Sequence, residues 1–330
     1  MENTRFGMDR VLTRDAEKFL REWESPLPYV FAHTSGSTGT PKEIKLLKSD
    51  MVASANATVK FFGITEKSTL YLPLSPSYIA GKMHIVRALV AGSALRVVTP
   101  SNKPLDDEIS APIDLLPIVP SQIPGLLGAD SLRFVKNVIV GGAPVTPEAE
   151  MSMIDAGVNA YATYGMTETC SHVALRKFGC QTFKGLPGFT FDVDSRGCLV
   201  ISTETMSFGS IITNDIVGLH GSDAFVWKGR FDNVINSGGI KIFPEEIEKV
   251  IAPFIPSGSL FYVTSRRSER WGEEAVVVTD CPEFKDTEAS HRLLSSLKEL
   301  LPFHHVPKAV IYISEISLTA SKKIIRRKFL

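Results

Sequence analysis

Between residues 11 and 23 the apolar positions Val11, Leu12, Phe19, Leu20 and Trp23 recur among charges at helical spacing, and the pattern stops at Ser25-Pro26-Leu27-Pro28. Apolar residues three and four apart share one helix face, so this stretch predicts a surface helix. Tyr29 to Ala32 is a short, apolar, partly aromatic run that opens into a Ser/Thr/Gly cluster, which predicts a strand ending in a loop. Beyond the loop the pattern predicts helix 49–62, strand 70–74, helix 84–90 and strand 94–98. A second round follows, with strand 135–140 closed by Gly141-Gly142, helix 147–156 and strand 160–163. Strand, helix and strand at this spacing predict parallel pairing with helices laid over the sheet.

After about residue 185 the texture changes to short apolar runs at 189–193, 198–201 and 224–227, which predict an antiparallel extension. The remainder predicts helix 244–251, strands 260–264 and 274–278, helix 290–301 and strand 309–313. The fold class expected is α/β: a large N-terminal domain over 1–231 with mainly parallel sheets and helices, and a small α+β C-terminal domain over 232–330. No internal repeat or low-complexity segment interrupts this order.

Composition narrows the function class. A chain of 330 residues that is 44% hydrophobic can bury a large core. Lys plus Arg and Asp plus Glu balance at 36 each, so no global field would hold the protein on nucleic acid or an anionic membrane. Cys170, Cys180, Cys198 and Cys281 show neither a disulfide framework nor metal-ligand spacing. The first twenty residues lack a signal-type apolar segment, and no window holds the roughly 18 apolar residues of a membrane span. The expectation is a cytoplasmic protein with small-molecule partners, no nucleic acid and no membrane; an oligomer is possible but not readable.

The loop after the first strand, His33-Thr34-Ser35-Gly36-Ser37-Thr38-Gly39-Thr40-Pro41-Lys42, gathers hydroxyls, two glycines and a lysine. Glycines let backbone amides turn toward an anion, hydroxyls add donors and lysine adds a mobile point charge, so the loop suits phosphates. It is not a Walker loop. Counted from Gly36, the second glycine position is Pro41, and Glu43 stands where the metal-binding hydroxyl should follow the lysine.

Further motifs follow in order. Gly141-Gly142-Ala143-Pro144 closes a strand, where small residues let a flat ring lie on backbone, although such a turn also needs glycine for conformation alone. Tyr164-Gly165-Met166-Thr167-Glu168-Thr169, Thr213-Asn214-Asp215 and Gly229-Arg230-Phe231-Asp232-Asn233 come next. Asn236-Ser237-Gly238-Gly239-Ile240-Lys241 then leads into Pro244-Glu245-Glu246, a good helix start with proline at the first position and acids in the first turn. Near the end, Ser317 to Arg327 carries Lys322-Lys323-Ile324-Ile325-Arg326-Arg327, which in isolation reads as a basic solvated tail.

Together, in this order, these segments resemble the adenylate-forming superfamily of acyl-CoA synthetases, peptide-synthetase adenylation domains and luciferases. The resemblance implies ATP, Mg²⁺ and coenzyme A as partners of a small-molecule carboxylic acid. It implies an ATP/AMP site of Thr34, Ser35, Gly36, Ser37, Thr38, Gly39, Lys42, Gly142, Ala143, Pro144, Tyr164, Gly165, Asp215 and Arg230. Tyr164 would stack on adenine, Thr167 would bond the α-phosphate, Glu168 would hold Mg²⁺, and Asp215 would accept from both ribose hydroxyls. Asn214 replaces the glycine usual in that motif. Asp232 would be the hinge of a mobile small domain, while Gly238, Gly239 and Lys241 would line the thiol channel. Lys323 would be the catalytic lysine, with Lys322 the alternative because it stands where glycine is usual. Carboxylate attacking triphosphate brings anion to anion, so a divalent ion and a lysine are the groups this chemistry needs.

For the acyl pocket, the resemblance points to Tyr78, Gly81 and Lys82 in Ser75-Pro76-Ser77-Tyr78-Ile79-Ala80-Gly81-Lys82-Met83-His84. An aromatic ring beside a cation suits an aromatic or compact acid carrying a second anionic group. Only about 32 residues precede the phosphate loop, a shorter front end than the superfamily usually has. Both features are similar to o-succinylbenzoate:CoA ligases of menaquinone biosynthesis. The rival readings are a stand-alone adenylation domain loading a carrier protein and an adenylate-binding protein with a dead site.

Overall fold

The computed structural model describes residues 13–33, 43–106, 108–256, 258–319 and 324–329. Helix α1 (Arg14–Glu24) is capped by Thr13, whose hydroxyl accepts from the Ala16 amide at 3.3 Å, and it buries Ala16, Phe19 and Leu20 on one face. It delivers the chain to β1 (Tyr29–His33), which pairs antiparallel with β2 (Glu43–Leu47). β2 runs directly into α2 (Lys48–Phe62).

Strand β3 (Thr69–Leu72), helix α3 (Ile79–Ala91) and strand β4 (Ala94–Val97) form a parallel βαβ unit. β5 (Leu116–Ile118), α4 (Ile123–Leu127), β6 (Val138–Val140), α5 (Pro147–Asp155) and β7 (Ala160–Gly165) continue the alternation, and β5, β6 and β7 pair in parallel. A parallel bridge between Leu70 and Leu115 carries the same register from β3 toward β5.

From β8 (His172–Lys177) the pairing is antiparallel through β9 (Phe183–Gly185), β10 (Phe189–Val193), β11 (Cys198–Thr203), β12 (Ser210–Leu219) and β13 (Ala224–Arg230). These strands join the parallel ones in a single nine-stranded sheet ordered β10-β11-β12-β13-β9-β8-β7-β6-β5. The antiparallel extension thus begins at β8, before residue 185.

Past residue 234 a second sheet forms. Its strands are β14 (Ile235–Ser237), β15 (Ile240–Ile242), β16 (Phe261–Ser268), β17 (Gly272–Thr279) and β18 (Val310–Tyr312), packed by α6 (Pro244–Ile251) and α7 (Thr287–Leu300). Ile235, Ile247, Ile251, Val263, Val277 and Leu297 bury a core of their own there. A smaller cluster of Cys198, Ile216 and Val234 with Phe243 against it joins the start of this part to the long sheet. Among the described residues no helix is long and apolar enough to cross a membrane.

Candidate active site

Strand β7 carries Tyr164 one residue before its end, and β12 and β13 place Asp215 opposite Arg230 in register. The Tyr164 hydroxyl donates to Asp215 Oδ2 at 2.7 Å, and Trp227 Nε1 donates to Oδ1 at 3.2 Å. Arg230 Nη1 lies 3.6 Å from that Oδ1. Asp215 is buried, and its own amide donates to Thr213 Oγ1 at 3.0 Å. The Tyr164 ring meets Phe225 and Phe183 edge-on, at centroid distances of 5.1 and 5.8 Å. Burial first, and the Asp215 charge next, push the Tyr164 phenol far above its usual range, so it is a hydrogen-bond donor at any working pH. Tyr164, Asp215 and Arg230, singled out from separate motifs, therefore meet at one place. Trp227 was missed by the sequence reading; an aromatic one turn of the pleat from Gly229-Arg230 was its only signal.

Immediately after β7, Thr167–Thr169 makes one 3-10 turn. Thr169 closes it, accepting from the Met166 amide at 3.1 Å and donating to the Ser171 carbonyl at 2.7 Å. Cys170 then takes φ 60, a left-handed conformation that costs a non-glycine residue energy and clusters at functional turns. The turn presents Glu168 to solvent, and its carboxylate makes no hydrogen bond or ion pair among the described residues. An exposed carboxylate without a protein partner among the described residues fits a hard divalent ion that takes its other ligands from a bound anion and water. Among the described residues no three His, Cys, Asp or Glu gather around one point, as a dedicated metal cage would require. Gly142, Ala143 and Pro144 are exposed at the end of β6, beside β7, so both segments reach the same carboxyl edge of the parallel strands.

Asp232 Oδ2 receives Arg230 Nη2 at 3.4 Å and Asn214 Nδ2 at 3.3 Å. Gly238 and Gly239 are the two-residue turn between β14 and β15, with φ 56 and 84, the sign a primed hairpin turn demands at both positions. A Cβ on Gly238 would stand 2.6 Å from the Trp271 ring. Lys241 is exposed on β15.

The acyl expectations change most. Tyr78 is 70% exposed ahead of α3, and Gly81 packs directly on the Ser75 backbone, where a Cβ would collide. Lys82 does not offer a free cation to a pocket. Its ammonium is buried, donating to Glu22 Oε2 at 3.0 Å and to the Phe31 carbonyl at 2.7 Å. One helical turn on, Arg87 is 2% exposed and donates to Ser171 Oγ at 2.6 Å, with no carboxylate partner among the described residues. His84 and His172 flank it, both buried. Burial first, then the Arg87 charge, hold both imidazoles well below the usual histidine range, and burial lowers Arg87 to about 9. Only one charge in an apolar helical run, Arg87 in Met83 to Ala91, signalled this cluster in the sequence.

Thr34, Ser35, Gly36, Ser37, Thr38, Gly39 and Lys42, together with Lys322 and Lys323, lie outside the described residues. The residues flanking the glycine segment, His33 and Glu43, are paired across β1 and β2.

A family model described as AMP-binding enzyme matches residues 13–200. Indoleacetate-CoA ligase of Aromatoleum aromaticum is 26% identical over 90% of this chain and 66% of its own length. The 2-succinylbenzoate-CoA ligase of Haemophilus influenzae is 24% identical over 98% of this chain and 75% of its own. This chain thus spans about two thirds to three quarters of the length of these relatives. Among solved structures, an acyl-CoA synthetase (AMP-forming)/AMP-acid ligase II-like protein from Dyadobacter fermentans is 33% identical with a TM-score of 0.64, covering 94% of this chain and 91% of its own. O-succinylbenzoate coenzyme A synthetase of Bacillus subtilis, in complex with ATP and magnesium, shares the fold at a TM-score of 0.74 and 19% identity, over 89% of this chain and 68% of its own.

Proposed function

The chain belongs to the AMP-binding enzyme family, and from that premise we propose that it is an AMP-forming acid:CoA ligase, making an acyl-adenylate and then an acyl-CoA thioester. The observation that carries this reading is the convergence of Tyr164, Trp227 and Arg230 on the buried carboxylate of Asp215, with the exposed Glu168, unpaired among the described residues, in the turn that follows the Tyr164 strand. Asp215 is a strong acceptor for ribose hydroxyls, and its two hydrogen-bond donors, Tyr164 and Trp227, together with the nearby Arg230 charge, hold it in place before a nucleotide arrives. Tyr164 offers its ring to a base. Glu168 would hold Mg²⁺, which when bound neutralises phosphate charge along the path of the attacking acid. Thr167 and the 34–42 segment would bond the phosphates, Lys323 would contact the α-phosphate, and the two parts of the chain, 1–231 and 232–330, would turn about Asp232 between the half-reactions.

The acid in this reading is an aromatic one with a second anionic group, with 2-succinylbenzoate the first compound to try. Arg87 supports it: an arginine kept charged in a buried site with no carboxylate among the described residues is costly unless an anion completes it. AMP release and ATP–pyrophosphate exchange should be measured with 2-succinylbenzoate, indoleacetate and benzoate, with and without coenzyme A. Turnover of indoleacetate equal to that of 2-succinylbenzoate sinks the diacid assignment. No acid-dependent exchange with any of them sinks the ligase assignment.

A further inference from the structure

The junction between β13 and α6 contains a carboxylate that the chemistry above does not use. Glu245, in the first turn of α6, is 8% exposed. Acids favour a helix N-terminus, but that preference is met equally well in water and does not require burial. Oε1 accepts from Asn233 Nδ2 at 2.5 Å, one residue beyond Asp232. Oε2 is buried with no hydrogen-bond partner among the described residues. It rests against Gly229 of β13, so closely that a Cβ there would overlap it, with the carboxyl carbon 3.1 Å away.

The same carboxylate faces the C-terminal segment. Arg326 Nη2 lies 3.9 Å from Glu245 Oε1, while that guanidinium forms a two-pronged pair with Glu248, with one of its bonds at 2.7 Å, and donates to the Val263 carbonyl at 2.9 Å. Arg326 is thus already committed to Glu248 and Val263, and its 3.9 Å approach is to Oε1, too long for a hydrogen bond and on the other oxygen from Oε2. Gly229 lies before Asp232 and Glu245 after it. The contact between them therefore spans Asp232, whereas Asn233 and Arg326 both follow it, on the Glu245 side.

We propose that Glu245 is a positioning residue that sets how firmly α6 closes on β13. Its Asn233 bond fixes the side chain toward Gly229, and its unpaired oxygen makes the closed contact expensive. Separating α6 from β13 gives that oxygen water and removes the penalty. Asn233 is only half-buried, so its amide finds water when the bond is broken. If the chain performs two half-reactions with a turn about Asp232, as proposed above, Glu245 also sets the balance between them.

Two variants act in opposite senses. Glu245→Leu keeps the volume but deletes the unpaired oxygen, so the closed contact becomes more favourable. Gly229→Ala drives a methyl into Oε2, so it becomes less favourable. Hydrogen exchange of backbone amides over residues 229–236 should slow at least threefold in the first and quicken at least threefold in the second. The ratio of thioester formation to ATP–pyrophosphate exchange should move at least threefold, in opposite directions in the two variants. Simple damage would shift exchange in the same direction for both, and that outcome, or no shift in either, overturns the proposal. Opposite exchange shifts in a protein without acid-dependent turnover would keep the Glu245 role and reject the ligase reading instead.

Discussion

Tyr164 Oη and Asp215 Oδ2 stand 2.7 Å apart across the long sheet, one near the end of β7 and the other in the middle of β12. Fifty-one positions separate them in sequence. The bond gives the buried carboxylate a neutral donor that cannot ionise, since Asp215 and burial together raise the phenol. Trp227 and Arg230 complete the shell on the other oxygen.

Tyr164→Phe keeps the ring and removes this donor, leaving Oδ2 of a buried carboxylate unsatisfied. We expect the fold to lose about 1–3 kcal/mol in denaturant unfolding, the cost of an unpaired buried acceptor. ATP should bind roughly tenfold more weakly by titration calorimetry, because Asp215 is no longer held for the ribose. Unchanged ATP affinity alongside the expected destabilisation would separate the Tyr164–Asp215 pair from nucleotide binding.

Arg87→Met tests whether the buried guanidinium is structural or reserved for an anion. Arg87 pays for burial with one hydroxyl bond to Ser171, so its removal should leave stability unchanged or raise it by about 1–4 kcal/mol. The kcat/KM for 2-succinylbenzoate should fall by about a hundredfold, or 2.7 kcal/mol, while that for benzoate changes little. A variant that is strongly destabilised and loses all acids alike assigns Arg87 to the core.

His84 and His172 supply a pH dependence of stability. Both are held neutral in the fold by burial and by Arg87, with pKa values well below the ordinary one. In the unfolded chain each takes a proton near pH 6.5, so below that pH the unfolded state binds more protons and is favoured. Their contribution is whole above pH 6.5 and is lost as pH falls toward the folded values, by up to about 1.4 kcal/mol per pH unit for each group. Urea midpoints between pH 7.5 and 5.5 should therefore drop steeply, and His172→Gln should flatten the curve by about one proton. An unaltered slope in that variant would mean that His172 is protonated in the fold.

Much of this architecture was legible because periodicity and burial agree in it. α6 begins at Pro244 where proline and two acids announce it, and β6 reads as three fully buried apolar residues. Other elements were hidden by local chemistry that tertiary pairing overrode. α3 begins at Ile79, five residues before the helix expected over 84–90, and its first turn includes Gly81, where the Ser75 backbone leaves no room for a Cβ. β12 runs straight through Thr213-Asn214-Asp215, where the pattern predicts no strand, since β11 and β13 supply partners on both sides. The residues proposed to meet the nucleotide stand out through motif order. Trp227 and Arg87 do not, because their meaning depends on which strand or helix lies opposite, and no spacing along the chain records that.

The Lys82–Glu22 pair gives the sharpest test of the revised acyl site. Glu22 Oε1 accepts from the Phe31 amide at 2.7 Å, and Lys82 donates to the Phe31 carbonyl, so two side chains satisfy both backbone groups of one residue in β1. That edge would otherwise need another strand. The ammonium also lies 5.1 Å over the Phe19 ring, which ties α1 to α3. The side chains retain 10% and 26% of their exposure, so the pair is worth more than a surface bridge and less than a fully buried one. Lys82→Met should cost about 2 kcal/mol, and Lys82→Met with Glu22→Leu should recover part of that loss, because no charge is then stranded against Phe31. Relative kcat/KM among 2-succinylbenzoate, indoleacetate and benzoate should stay within about twofold in both variants, about 0.4 kcal/mol. A selective loss of the diacid on Lys82→Met would return the lysine to the acyl pocket and make its bond to Glu22 incidental.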